Sequence, residues 1–208
     1  MIKKAFSRDQ RGFTIVELLI ALSVFSVMLL ITGGVILELS RQFYRTVVQT
    51  RTQDVSRSVV EEIANNIKYS SQPPYQLEEN GDVNGWCISG RRYLYRLGQQ
   101  QPDDIPNALV RASSCSEGVP SDLSIEGGSP EGGTELLGDN MRITDFTVNQ
   151  GASNRVFYIE ITVAHGDDDV FTEDTLDSSR PECKPSRTDS TFCAVSTIST
   201  TVVRKMRL

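Results

Sequence analysis

Glu17 is the only charged residue in the apolar run from Phe13 to Leu37. It follows a basic segment, MIKKAFSRDQRG, in which Lys3, Lys4, Arg8 and Arg11 stand against Asp9. A carboxylate in such a run costs roughly 2.5–3.5 kcal/mol at mid-bilayer, and less near an interface where it snorkels to the headgroups. A second arrangement gives it a partner. If the Gly12–Phe13 bond is cut, a new α-ammonium appears at Phe13, one helical turn from Glu17. Cation and carboxylate then share one membrane depth, on the same chain or on adjacent chains. The chemistry these residues offer is processing and register rather than catalysis.

The other reactive groups offer less. Asp167, Asp168 and Asp169, with Glu173, Asp174 and Asp177, place six carboxylates in eleven residues. Hard oxygen ligands suit calcium, but EF-hand spacing is absent, and the expectation is a solvated acidic hairpin tip with no cofactor. His165, the single histidine, reads as a strand-end side chain. Arg91, Arg92 and Arg96 with Tyr93 and Tyr95, and separately Arg204, Lys205 and Arg207, could form phosphate-contacting patches. An acidic chain repels a polyanion unless such a patch is strongly segregated, so nucleic acid is not an expected partner. Lys and Arg on strands are expected to face solvent, and Trp86 to lie in the core. No GxxxxGK[ST], HExxH or GxSxG motif is present, and Gly127-Gly128-Ser129-Pro130-Glu131 fails the last at its final position. No enzyme is expected.

The chain of 208 residues is 38% hydrophobic and 23% charged, with a formal net charge of −6. That composition excludes wholesale disorder, a collagen and a polytopic membrane protein. The apolar residues are unevenly placed. Leu18 to Leu37 are 20 uncharged residues, and at ~1.5 Å each a helix of them spans the ~30 Å hydrocarbon core. The basic flank holds the N-terminus in the cytoplasm and places everything after about residue 40 outside. A secretory signal would be shorter and end at a small-residue cleavage site, and a lipobox cysteine is missing.

The run G-F-T-I-V-E-L-L-I-A-L at 12 to 22 resembles the class III signal of type IV pilins and type II secretion pseudopilins. The shared features are a short basic leader, Gly at the cleavage site, Phe as first mature residue and Glu as fifth. The resemblance implies cleavage after Gly12 and N-methylation of Phe13 by a prepilin peptidase. It implies a structural subunit of a pilus-like or secretion filament in which Phe13 and Glu17 set the stagger. Its partners would be other pilin subunits, the membrane, and an assembly platform with its ATPase. Removing the leader takes four cations and one carboxylate, leaving 17 basic and 26 acidic groups, a net of −9. The alternative reading is a filament-borne binding module, an adhesin or DNA-uptake receptor.

The elements that must position these residues follow from periodicity. Leu39, Phe43 and Val47, then Val55, Val59, Ile63 and Ile67, recur at four-residue steps among charged positions. They predict an amphipathic helix running on from the anchor to about Tyr69, ended by Gln72-Pro73-Pro74. Gly33-Gly34 is the one place it could bend. Beyond it, turn signals at Glu79–Asp82 and Asn84-Gly85 precede strands at Trp86–Ile88, Tyr93–Leu97 and Leu109-Val110. A hairpin of Met141–Val148 with Arg155–Val163 follows, and a Thr-rich last strand ends in Val203. The expected class is α+β, a long N-terminal helix packed on an antiparallel β-sheet head. Its parts are a leader at 1–12, a filament-core helix at 13–37, an amphipathic helix at 38–70 and the head at 75–208. Cys87, Cys115, Cys183 and Cys193 all fall in the exported part, where disulfides persist. Of three possible pairings, the local ones, Cys87–Cys115 and Cys183–Cys193, are expected. The layout resembles the larger minor subunits of the PilW-like and pseudopilin-J-like class.

Overall fold

The computed structural model describes residues 12–98, 108–116, 118–120, 123, 133–172, 175, 178–185 and 191–205. The chain divides into two compact units, Met1–Gln42 and Phe43–Leu208.

One helix, α1 (Ile15–Tyr69), runs through both units and continues through Gly33 and Gly34 without a break. In the first unit its polar side chains turn onto their own backbone. The hydroxyls of Ser23, Ser26, Thr32 and Ser40 each donate to a carbonyl three or four residues earlier, at 2.8–3.0 Å. Hydroxyls satisfied in this way leave the helix surface apolar despite the Ser and Thr content. The helix stops at Tyr69. Ser70 hydrogen-bonds the Gln72 carbonyl at 2.6 Å, and Pro73-Pro74 cannot extend the ladder.

In the second unit α1 buries Thr52, Ser56, Val59, Val60, Ile63 and Ile67, which share one face at helical spacing. The four-residue stripe starts earlier in the sequence, yet Leu39, Phe43 and Val47 are exposed. The buried face packs on two antiparallel sheets. The first has five strands in sequential order: β1 (Tyr75–Gln76), β2 (Asn84–Ile88), β3 (Arg91–Tyr95), β4 (Leu109–Ala112) and β5 (Thr134–Glu135). The second has three: β6 (Met141–Gln150), β7 (Val156–His165) and β8 (Ala194–Val203). A parallel bridge between Leu97 and Ile143 links the sheets. Phe157, Ile159, Ile161 and Val163 alternate inward along β7, where they meet Ile63, Ile67, Tyr93, Tyr95 and Phe146 in one cluster.

The α+β architecture matches the sequence expectation, but several local expectations need correction. The expected strand Tyr93–Leu97 is Arg91–Tyr95, and Leu97 makes only the bridge to Ile143. Asn84-Gly85 is not a turn but the start of β2. A Cβ on Gly85 would come within 3.1 Å of Leu77, Leu94 and Val119, so this glycine is there for close approach. The acidic segment is not a free hairpin tip. Asp168–Val170 forms a 3₁₀ turn whose next residue, Phe171, is buried and bridges Cys183.

Candidate functional site

The start of α1 has the geometry of a closed cap. Thr14 Oγ1 accepts the Glu17 N–H at 3.3 Å, while Glu17 Oε2 accepts the Thr14 N–H and the Thr14 hydroxyl, both at 2.9 Å. This reciprocal pairing satisfies two donors that the first helical turn leaves open. Its signal in the sequence is T-x-x-E at 14–17 ahead of an apolar run, which gives Glu17 a local partner besides the expected ammonium. Two consequences follow. The helix begins beyond the Gly12–Phe13 bond, whose flanking residues are exposed, Phe13 to 89%. The Glu17 carboxylate is turned back toward the residue where cleavage would create an amine.

Behind the cap, every residue from Leu18 to Leu37 is exposed. The helix is long and apolar enough to cross a membrane. An exposed apolar surface of this extent needs lipid or protein to cover it.

Cys87 in β2 is bonded to Cys115 just past β4, with Cα atoms 5.7 Å apart, and Cys183 to Cys193 just before β8, at 5.8 Å. His165 ends β7, its Nδ1 lying 3.2 Å from the Phe192 carbonyl oxygen. Trp86 is half-buried against the core beside Phe146. Among the described residues no group of His, Cys, Asp or Glu could hold a metal ion. Asp168 accepts from Arg142 Nη1 at 2.5 Å. Glu173, Asp174 and Asp177 lie outside the described residues.

Not every arginine on or beside a strand faces solvent: Arg91 is exposed, but others are not. Arg92, Arg142 and Arg204 are buried because each guanidinium finds carbonyl acceptors inside the fold. Arg142 donates to Gly98 O, Gly166 O and Asp168, and lies over the Phe171 ring. Arg92 donates to Gly118 O at 2.7 Å. Since Tyr93 and Tyr95 are also buried, residues 91–96 form no stacking surface. Tyr93 instead donates to Glu62 of α1, which also pairs with Arg111 at 2.9 Å, and Asn66 donates to the same phenol. Burial, with Glu62 beside it, pushes the Tyr93 phenol above its ordinary range. On β5, an edge strand of this sheet, Glu135 Oε1 accepts from Leu109 N and Leu137 N, and burial pushes its carboxyl up to about 7. No sequence signal marked Glu62, Arg142 or Glu135, because their partners lie tens of residues away.

Arg204 and Lys205 fall at the far end of α1. Arg204 N donates to Arg155 O, Arg204 Nη1 to Ser71 O, and Lys205 N to Lys68 O. Arg207 lies outside the described residues.

Residues 7–33 match the family model of the prokaryotic N-terminal methylation motif, which is characteristic of type IV pilins and pseudopilins. Neither the curated proteins nor the solved structures contain a match to the chain.

Proposed function

We propose that this chain is a structural subunit of a type IV pilus-like or type II secretion filament, cleaved after Gly12 and polymerised through α1. The observation that carries the reading is the capped, wholly exposed apolar helix immediately behind an exposed Gly12–Phe13 bond. A prepilin peptidase needs an accessible, non-helical bond, and the Thr14–Glu17 cap keeps the helix off it. Cleavage then frees an ammonium at Phe13, and N-methylation leaves it charged. In the membrane the precursor's helix is covered by lipid; in the filament it is covered by the helices of neighbouring subunits. Packing of apolar helices supplies cohesion there, and the Phe13–Glu17 ion pair fixes the axial stagger. An assembly platform and ATPase would extract the subunit. The head layout supports a minor subunit, a statement about copy number that quantitative mass spectrometry of sheared filaments decides.

Peptide mass spectrometry of membrane and filament fractions tests the core of the proposal. The expected N-terminal peptide begins at a methylated Phe13, and an intact Met1 in the assembled fraction refutes it. Glu17→Ala should leave cleavage intact and lower incorporation into filaments by about tenfold or more; normal incorporation would remove the assigned role of the carboxylate.

A further inference from the structure

Acidic composition counted against nucleic acid unless a cationic patch was strongly segregated, and the fold provides that segregation. Three segments, residues 63–77, 146–159 and 191–205, each reach the C-terminal end of α1 in part, through Lys68, Arg155 and Arg204-Lys205 respectively. None contains an Asp or Glu, in a chain that carries 27 of them. Backbone hydrogen bonds hold them together, Lys205 N to Lys68 O at 2.8 Å and Arg204 N to Arg155 O at 2.7 Å. The result is a cationic end made of Lys68, Arg155, Arg204 and Lys205.

Among the described residues none of the four pairs with a carboxylate. The nearest acids along the chain are already engaged: Glu62 by Arg111, and Glu160 by Arg180 at 2.8 Å. Arg204 is 8% exposed, and its guanidinium donates to the Ser71 carbonyl. At the centre stands Tyr69, 63% exposed, with the Lys68 and Lys205 ammonium groups 5.5 and 5.9 Å from its ring centroid. The surrounding exposed positions are uncharged hydrogen-bonding residues: Ser71, Gln72, Gln150, Ser153 and Asn154.

We infer that this end binds the phosphodiester backbone of a nucleic acid strand without regard to sequence. Lysine and arginine take phosphates, amide and hydroxyl side chains add contacts to phosphate and sugar, and an exposed ring accepts a base in stacking. The acidity of the rest of the chain does not forbid this, since exposed charges more than ~8–10 Å apart are largely screened at physiological salt. Lipid headgroups fit less well, because the patch closes the end of α1 opposite to Phe43, about seven helical turns away. The inference stands apart from filament assembly and does not require cleavage at Gly12.

Fluorescence anisotropy of the full chain in detergent micelles, with labelled 20-nucleotide single-stranded DNA at several salt concentrations, tests it. Binding is expected to weaken steeply with salt, with a log–log slope of roughly −2 to −3 for three to four phosphates. Lys68→Gln with Lys205→Gln should weaken it about tenfold and flatten the slope by about 1.4, while Tyr69→Ala should weaken it without altering the slope. Arg91→Gln, an exposed cation on β3, should change nothing. No binding at low salt, or binding unchanged in the double variant, overturns the inference. So does preferential capture of phosphatidylglycerol vesicles over DNA, or oligomerisation through this end in place of DNA binding. Should the variants fail to fold, acetylation footprinting of lysines in the wild-type chain decides: DNA must protect Lys68 and Lys205 over Lys184.

Discussion

Glu17 and Glu135 are the same functional group put to different uses by their surroundings. Glu17 closes a helix start by accepting from the Thr14 N–H and hydroxyl. Glu135 lies where water is largely excluded, holding Leu109 N and Leu137 N with one oxygen while the other is buried without a partner. Its folded pKa of about 7 lies above the ordinary 4.5, so the folded state holds the proton more tightly. Its contribution is therefore fully present below pH 4.5 and lost as pH rises through 7, amounting to roughly 3 kcal/mol at most. Urea midpoints between pH 5 and 8 should fall for the wild type, and Glu135→Gln should flatten that dependence. Arg142 ties the acidic turn to β6 through Asp168. Arg142→Ala should cost roughly 2–4 kcal/mol, because it strands the Gly98 and Gly166 carbonyls and opens space under Phe171. A urea midpoint equal to wild type would show that Arg142 contributes nothing.

At the scale of elements, the helix and the strands of four or more residues were readable, with shifted ends, and the two-residue strands were not. The four-residue stripe of Val55, Val59, Ile63 and Ile67 and the alternation of Phe157, Ile159, Ile161 and Val163 are local patterns that survive folding unchanged. β1 and β5 have two residues each, too few to show any period, and exist because β2 and β4 offer free edges. Asn84-Gly85 misled for a related reason: glycine signals both turn and close approach, and only the neighbours tell which. Gly85→Ala should cost about 1–3 kcal/mol, since its methyl would press on Leu77, Leu94 and Val119 together. Thermal unfolding checks this, and a stabilised variant would show that the three side chains give way.

For the whole molecule, the disulfides and the distribution of charge matter most. Cys87–Cys115 closes a 28-residue separation across the first sheet, and Cys183–Cys193 fastens the turn that bears Phe171 to the start of β8. Replacing Cys87 and Cys115 by Ser should lower stability by roughly 3–4 kcal/mol, against roughly 2–3 for the shorter loop. Denaturant unfolding of the two double variants checks both magnitude and order; equal losses would remove the loop-length argument. The net charge is a poor guide to where charge lies: an acidic chain gathers cations at one end because three carboxylate-free segments meet there.

The sequence by itself determined the apolar helix, the T-x-x-E pattern from which the Thr14–Glu17 cap is built, and the α+β class. All of these depend on residues within a turn or two of each other, where composition and period suffice. Only the tertiary structure decided that Arg92 and Arg142 are buried, that Tyr93 and Tyr95 are core, that Glu135 accepts from Leu109 N, and that Lys68 stands beside Lys205. Each of those depends on what a distant segment places alongside, and one chain read in order does not contain that adjacency.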